Sequence, residues 1–223
     1  MSSTTPAPTA LIKSAALLSL LVILLAATGL FALSSTNRQH HDSLKRLEQF
    51  HAAELAATET RAHFKTQVQE WKNLLLRGAD PTSFEKYQTQ FQQQNQQVQK
   101  KLVELQRLLQ DLGEENSSIQ ELIIQHQKLQ QTYTEALTHY SPQSPSSAFK
   151  VDAAVRGADR PLSKQIEQLA EDIYQLSKKY HQLAQQQAAT RYETLRKVTT
   201  VVASLTVLCS FLLVFFANRR PRS

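Results

Sequence analysis

The chain has 223 residues with 25 Lys and Arg against 19 Asp and Glu, giving a formal charge of +6, and a single cysteine, Cys209. One cysteine excludes an intrachain disulfide and a cysteine-built zinc site. The positive charge comes without an interleaved aromatic and basic module, so nucleic-acid binding is not expected.

Ala15 to Leu33 carries no ionised side chain, and about 20 such residues rising about 1.5 Å each cross the roughly 30 Å hydrocarbon layer of a bilayer. The expected element is a transmembrane helix over 11–33 behind a short N-terminus, 1–10. A cleaved signal peptide is the competing reading, with Ala32-Leu33-Ser34 as a loose cleavage site. The apolar stretch is longer than the about 7–15 residues of such a signal, which favours an anchor. Val198 to Ala217 is a second uncharged span containing Cys209, followed by the tail 218–223. Lys13 before the first span and Arg219, Arg220 and Arg222 after the second place both termini in the cytoplasm by the positive-inside rule. Residues 34–197 then lie on the other side.

Between the spans the expected helices are 34–77, 82–111, 115–140 and 161–197. The first is the least regular: Leu47, Phe50, Ala57, Phe64, Val68, Trp71 and Leu75 hold a stripe that Glu54 and Arg61 interrupt. The second carries Phe84, Tyr87, Phe91, Val98, Leu102, Leu105, Leu109 and Leu112; the third Ile119, Leu122, His126, Leu129, Tyr133, Ala136 and Tyr140. Leu162, Ile166, Leu169, Ile173, Leu176, Tyr180 and Leu183 step by four and three along the fourth, a heptad seam. Four stripes that cannot shelter themselves are buried together most simply as an antiparallel four-helix bundle. The fold class is all-α. The run Gln92-Gln93-Gln94-Asn95-Gln96-Gln97 reads as a solvated helix face, since glutamine is a good helix former.

Two connections are written almost alike: Arg77-Gly78-Ala79-Asp80-Pro81 and Arg156-Gly157-Ala158-Asp159-Arg160-Pro161. Gly78 and Gly157 fit a left-handed helix stop, Asp80 and Asp159 fit caps of the next helix, and Pro81 and Pro161 fit its first turn. Up-down geometry puts both turns at the end away from the membrane, where Arg77, Arg156 and Arg160 gather and suit an anionic ligand or partner.

Gln67 through Pro81, with Trp71 and the Arg-Gly-Ala-Asp-Pro turn, then Phe84, Lys86-Tyr87 and Phe91, closely resembles the periplasmic sensor region of bacterial methyl-accepting chemotaxis proteins. His126 with Tyr133, and Val155 through Pro161, resemble that region's later motifs in the same order, so the resemblance covers about residues 11–217. It implies a homodimer in the bacterial inner membrane whose spans pass ligand-induced shifts to a HAMP linker and a cytoplasmic signalling hairpin. Neither is present in the six residues after Ala217. The expected function is therefore a chemoreceptor-like periplasmic ligand sensor in transmembrane signalling, as a truncated receptor or an accessory partner of full-length chemoreceptors. The alternative is a structural helical membrane tether or envelope interaction protein without a ligand.

Candidate ligand contacts are Arg77, Arg156, Arg160, Trp71 and His126. For Trp71 the competing role is a core anchor, and for His126 a core histidine bonded to a neighbouring helix. Glu54 and Arg61 lie on one stripe, and polar residues in a seam set register or partner choice. They are expected to face a second copy of the first helix across a dimer interface. His40-His41 with Asp42 has no companion cluster for metal binding. Asn116-Ser117-Ser118 fits a glycosylation sequon, a pattern too short to carry weight. No nucleophile, phosphate loop or metal triad is present in the pattern, so no enzyme, cofactor or metal is expected. The expected partners are the membrane, a second copy, and a small-molecule ligand.

Overall fold

The computed structural model describes residues 8–218, and every regular element among them is an α-helix. In order these are α1 (Pro8–Arg77), α2 (Pro81–Leu112), α3 (Ser117–Leu137), α4 (Pro145–Val155) and α5 (Arg160–Asn218). The expected all-α class is found. The expectations that rest on residues 1–7 and on Arg219, Arg220 and Arg222 concern positions outside the described residues.

Local chemistry explains the boundaries. Between Pro8 and Arg77 the chain meets neither proline nor any glycine except Gly29, so nothing interrupts the hydrogen-bond ladder and α1 is 70 residues long. After Pro161 the same holds through Asn218, the end of the 59-residue α5. At α2, Asp80 caps: its carboxylate accepts from the Ser83 N–H at 2.8 Å, and Pro81 stands in the first turn. The same bonds to Ser83 hold the Asp80 carboxyl below its usual pKa. Gly113 ends α2 with φ 75°, and the Glu114 N–H returns to the Leu109 carbonyl at 2.9 Å.

The two similar turns are not alike in backbone. Gly157 is left-handed as expected, with φ 79°, but Gly78 is not among the positive-φ residues. Its N–H instead continues the helix to the Leu74 carbonyl at 2.9 Å. What requires glycine at 78 is space: a Cβ there would collide with the Leu74 carbonyl oxygen and press on the Phe84 ring and the Tyr140 hydroxyl.

The sequence pattern also missed an element. The region 141–160 reads as a connection because of its Ser and Pro content, yet it holds α4, begun by Ser144 and Pro145 and sealed by Ser147. The Ser147 hydroxyl donates to the Ser141 and Ser144 carbonyls at 2.7 Å and accepts from the Ser141 N–H at 3.0 Å.

The chain divides into two units. One, Lys45–His181, holds the core, to which all five helices contribute. α2 buries Phe91, Val98, Leu102, Leu105, Leu109 and Leu112, and α3 buries Ile119, Leu122, His126, Leu129, Tyr133 and Ala136, as their spacing predicts. α4 adds Val151 and Val155, and α5 adds Leu162, Ile166, Leu169 and Ile173; Leu183 is exposed. On α1 the buried stripe differs from the expected one. It runs through Phe50, Ala53, Ala57, Thr60, Phe64, Gln67, Trp71 and Leu74, with Leu47 and Val68 only half-buried and Glu54 and Arg61 at the margin. The expected Phe50, Ala57, Phe64, Trp71 and Leu75 are buried, while the small and polar Ala53, Thr60 and Gln67 take the places next to Glu54, Arg61 and Val68.

The other unit comprises the outer parts of α1 and α5, within 1–44 and 182–223. Phe31, Leu30, Val207 and Phe211 are among its exposed apolar side chains. By length and composition α5 carries a stretch apolar enough to cross a membrane, none of it buried. Hydroxyls in these arms turn inward on their own helices: Thr206 donates to the Val202 carbonyl and Ser210 to the Thr206 carbonyl, both at 2.8 Å.

Candidate functional site

Two groups of polar residues lie within Lys45–His181. The first is a network across α1, α2 and α3. His126 is 0% exposed; its Nε2 lies 2.8 Å from Gln67 Oε1 and its Nδ1 2.5 Å from Gln99 Nε2. An amide nitrogen can only donate, so Nδ1 accepts from Gln99 and Nε2–H donates to Gln67, which fixes a neutral imidazole by its partners. Gln67 Nε2 then donates to Asn95 Oδ1 and Gln130 Oε1, each at 3.4 Å. Burial pushes the His126 pKa down to about 4, because the charged form would lose its water among uncharged amides. The glutamine-rich run of α2 is therefore only partly a solvated face: Asn95 reaches Gln67, and Gln94 Oε1 meets His63 Nδ1 at 2.8 Å.

The second group lies where α1, α3, α4 and the α4–α5 turn meet. Trp71 is 3% exposed and stacks on Tyr133, with centroids 4.4 Å apart and an interplanar angle of 18°, while Phe91 stands 5.6 Å away. Its indole Nε1–H is buried and has no hydrogen-bond partner among the described residues. Burial, with the charges of Asp159 and Asp152 behind it, raises the Tyr133 pKa, so the phenol keeps its proton. Trp71 and Tyr133 line a cavity of about 140 Å³ with Lys72, Asp152, Arg156, Asp159 and Arg160. Two larger cavities adjoin it through Lys72, which lines all three. One, of about 200 Å³, includes Lys65 and Asp159. The other, of about 480 Å³, is walled by Leu75, Leu76, Tyr140, Phe149 and Asp152.

Of the expected ligand contacts, Trp71, Arg156 and Arg160 come together at this cavity. Arg156 is also held by Asp152, at 3.0 Å across one turn of helix. Arg77 is directed elsewhere: its guanidinium donates to the Tyr87 hydroxyl at 3.0 Å and lies over that ring. His126 belongs to the core network. Arg61 stands close enough to Glu167 of α5 for its charge to help lower that carboxyl's pKa, after the larger effect of Lys65, which lies 2.8 Å from Glu167. Lys72 and Asp152 were not singled out from the sequence, and Tyr133 was marked there only as a seam residue paired in motif with His126. The signal for Lys72 was its place beside the one tryptophan. Among the described residues no cluster of three or more His, Cys, Asp or Glu side chains is placed to hold a metal ion.

No family model matches the chain, and no solved structure matches it. It is 30% identical over 161 residues to the methyl-accepting chemotaxis protein CtpH of Pseudomonas aeruginosa. The aligned stretch is 72% of this chain and 27% of the relative, so the chain spans about a quarter of the protein it matches. This likeness supports a chemoreceptor-related family for the chain.

Proposed function

We propose that this chain is a chemoreceptor-like, non-enzymatic sensor whose residues 34–197 form a periplasmic, ligand-binding four-helix bundle. In this reading α1, α2, α3 and α5 are the antiparallel helices and α4 closes one end. The arms of α1 and α5 cross the inner membrane with both termini in the cytoplasm, and the active form is a homodimer paired through α1, with Glu54 and Arg61 at the seam. The observation that carries the reading is the 161-residue similarity to a methyl-accepting chemotaxis protein. The absence of any helix break between the core portion and the apolar arm of either α1 or α5 supports it. A displacement at the cavity end of such a helix is carried along it without a joint, and shifts of about 1–2 Å suffice in helix switching.

The test is a chimera in which residues 1–217 precede the cytoplasmic half of a full-length methyl-accepting chemotaxis protein. A change in swimming bias with at least one compound from a panel of organic acids, amino acids and aromatic compounds is expected. A chimera that is made, inserted and silent to the whole panel overturns ligand sensing and leaves the structural tether. Co-purification of the native chain with full-length chemoreceptors tests the accessory role.

A further inference from the structure

We propose that the cavity of about 480 Å³ bounded by the end of α1, the α3–α4 turn and α4 binds a small amphipathic monocarboxylate. The Lys72 ammonium is its anchor, and Leu76, Tyr140 and Phe149 are its apolar walls. This rests on the ligand-sensing reading above and names the place and the ligand class.

Size and lining come first. The volume falls within the roughly 300–1,000 Å³ of small-molecule sites, which are mainly apolar with a few placed polar groups. Leu76 is 80% exposed and Phe149 75%, more than any other large apolar side chain of Lys45–His181. Both line this cavity. Large apolar groups left in water are stabilised by whatever covers them. Here they converge on a concave space that also holds polar side chains, a shape suited to a small molecule with an apolar body.

Charge then selects the head group. Asp152 lines the cavity but already accepts from Arg156 at 3.0 Å. Lys65 is paired with Glu167 at 2.8 Å, and Lys101 with Glu59 and Glu104 at 2.7 and 2.9 Å. Lys72 makes no ion pair or hydrogen bond among the described residues. A single carboxylate would complete that pair. A dianion would find no second free cation among the described residues that line this cavity and would sit near Asp152; a neutral apolar compound would leave the Lys72 charge unused.

The chain reports on the site itself, because Trp71, its one tryptophan, adjoins Lys72 in sequence and lines the neighbouring cavity. The experiment titrates benzoate into the full chain in lipid nanodiscs, reading tryptophan emission and calorimetric heat together. Saturable binding is expected, at least about tenfold tighter than that of benzyl alcohol or acetate. Lys72→Met and, separately, Phe149→Ser should each weaken it by about tenfold with unfolding temperatures unchanged. Benzyl alcohol binding as well as benzoate overturns the role of Lys72. Parent-like benzoate binding by both variants, or no saturable benzoate signal by either readout, overturns the site. Sensing and site fail separately. A chimera that answers another compound and keeps that answer with Lys72→Met and Phe149→Ser retains sensing and loses this cavity, whereas benzoate binding with a silent chimera does the reverse.

Discussion

Gln67 and Trp71 stand one helical turn apart on the same buried stripe of α1, and they differ in what their polar atoms find. Every polar atom of the Gln67 amide is within bonding reach of His126, Asn95 or Gln130. The Trp71 indole N–H has no hydrogen-bond partner among the described residues, and a cavity opens beside the ring. A buried polar group that is fully paired fixes a unique packing, while one left unpaired destabilises by about 1–3 kcal/mol and persists where something else offsets it. The comparison separates a layer that holds the helices in register from a layer built around open space.

The largest effect should follow removal of the Trp71 ring. Trp71→Ala deletes the stack on Tyr133 and the contact with Phe91 and should destabilise by about 3–5 kcal/mol in denaturant unfolding of the chain in detergent. A loss under about 1 kcal/mol would mean that the layer is already loose, and the contrast with Gln67 would be one of order rather than of pairing. The next effect is acid. Because burial holds the His126 pKa at about 4 against 6.5 unfolded, the unfolded chain binds the extra proton first as pH falls. Stability is therefore fully present above 6.5 and declines as pH drops toward 4, by about 3 kcal/mol in all. Unfolding measured between pH 7 and 4 checks it, and His126→Leu should flatten that portion of the profile.

The same substitution tests the pairing itself. His126→Leu strands Gln67 Oε1 and Gln99 Nε2 and should destabilise by about 2–3 kcal/mol at pH 7. Adding Gln67→Leu removes one of the stranded partners, so the double variant should lose less than the sum of the singles, a coupling of about 0.5–3 kcal/mol. Additive losses would show that the two side chains do not depend on each other.

These two layers were unequally legible. Leucine and isoleucine spacing gave α2, α3 and the inner part of α5, and Asp80 with Pro81 marked the start of α2, because apolar periodicity and cap chemistry are local properties. The phase of α1 was harder to read: Ala53, Thr60 and Gln67 hold the core there, while Glu54 and Arg61 drew attention to the margin. His126 was visible as a seam residue, but its partners are glutamines, which pattern reading assigns to the surface. The two Arg-Gly-Ala-Asp turns look equivalent as text. Arg77 closes α1 and finds Tyr87 of α2, whereas Arg156 follows α4, a helix hidden in a Ser-Pro-rich connection, and joins the cavity. For Lys72 the sequence offered only its place beside Trp71, and tertiary packing brings it to the cavities.

The smallest change is the most discriminating. Trp71→Phe keeps an aromatic ring to stack on Tyr133 while removing the orphaned N–H together with part of the ring volume. Lost packing should destabilise, and removal of a buried donor that has no partner should stabilise by a similar amount. The net effect on unfolding at pH 7, followed by circular dichroism, should lie within about 1 kcal/mol. The control is Gln67→Leu, which removes an amide whose atoms are paired, strands His126 Nε2–H, and should destabilise by about 1–3 kcal/mol although it adds apolar surface. If Trp71→Phe costs as much as Gln67→Leu, the indole N–H contributes a bond of its own and the two layers do not differ in pairing. If it costs less, the space beside Trp71 is where an arriving acceptor has a donor waiting.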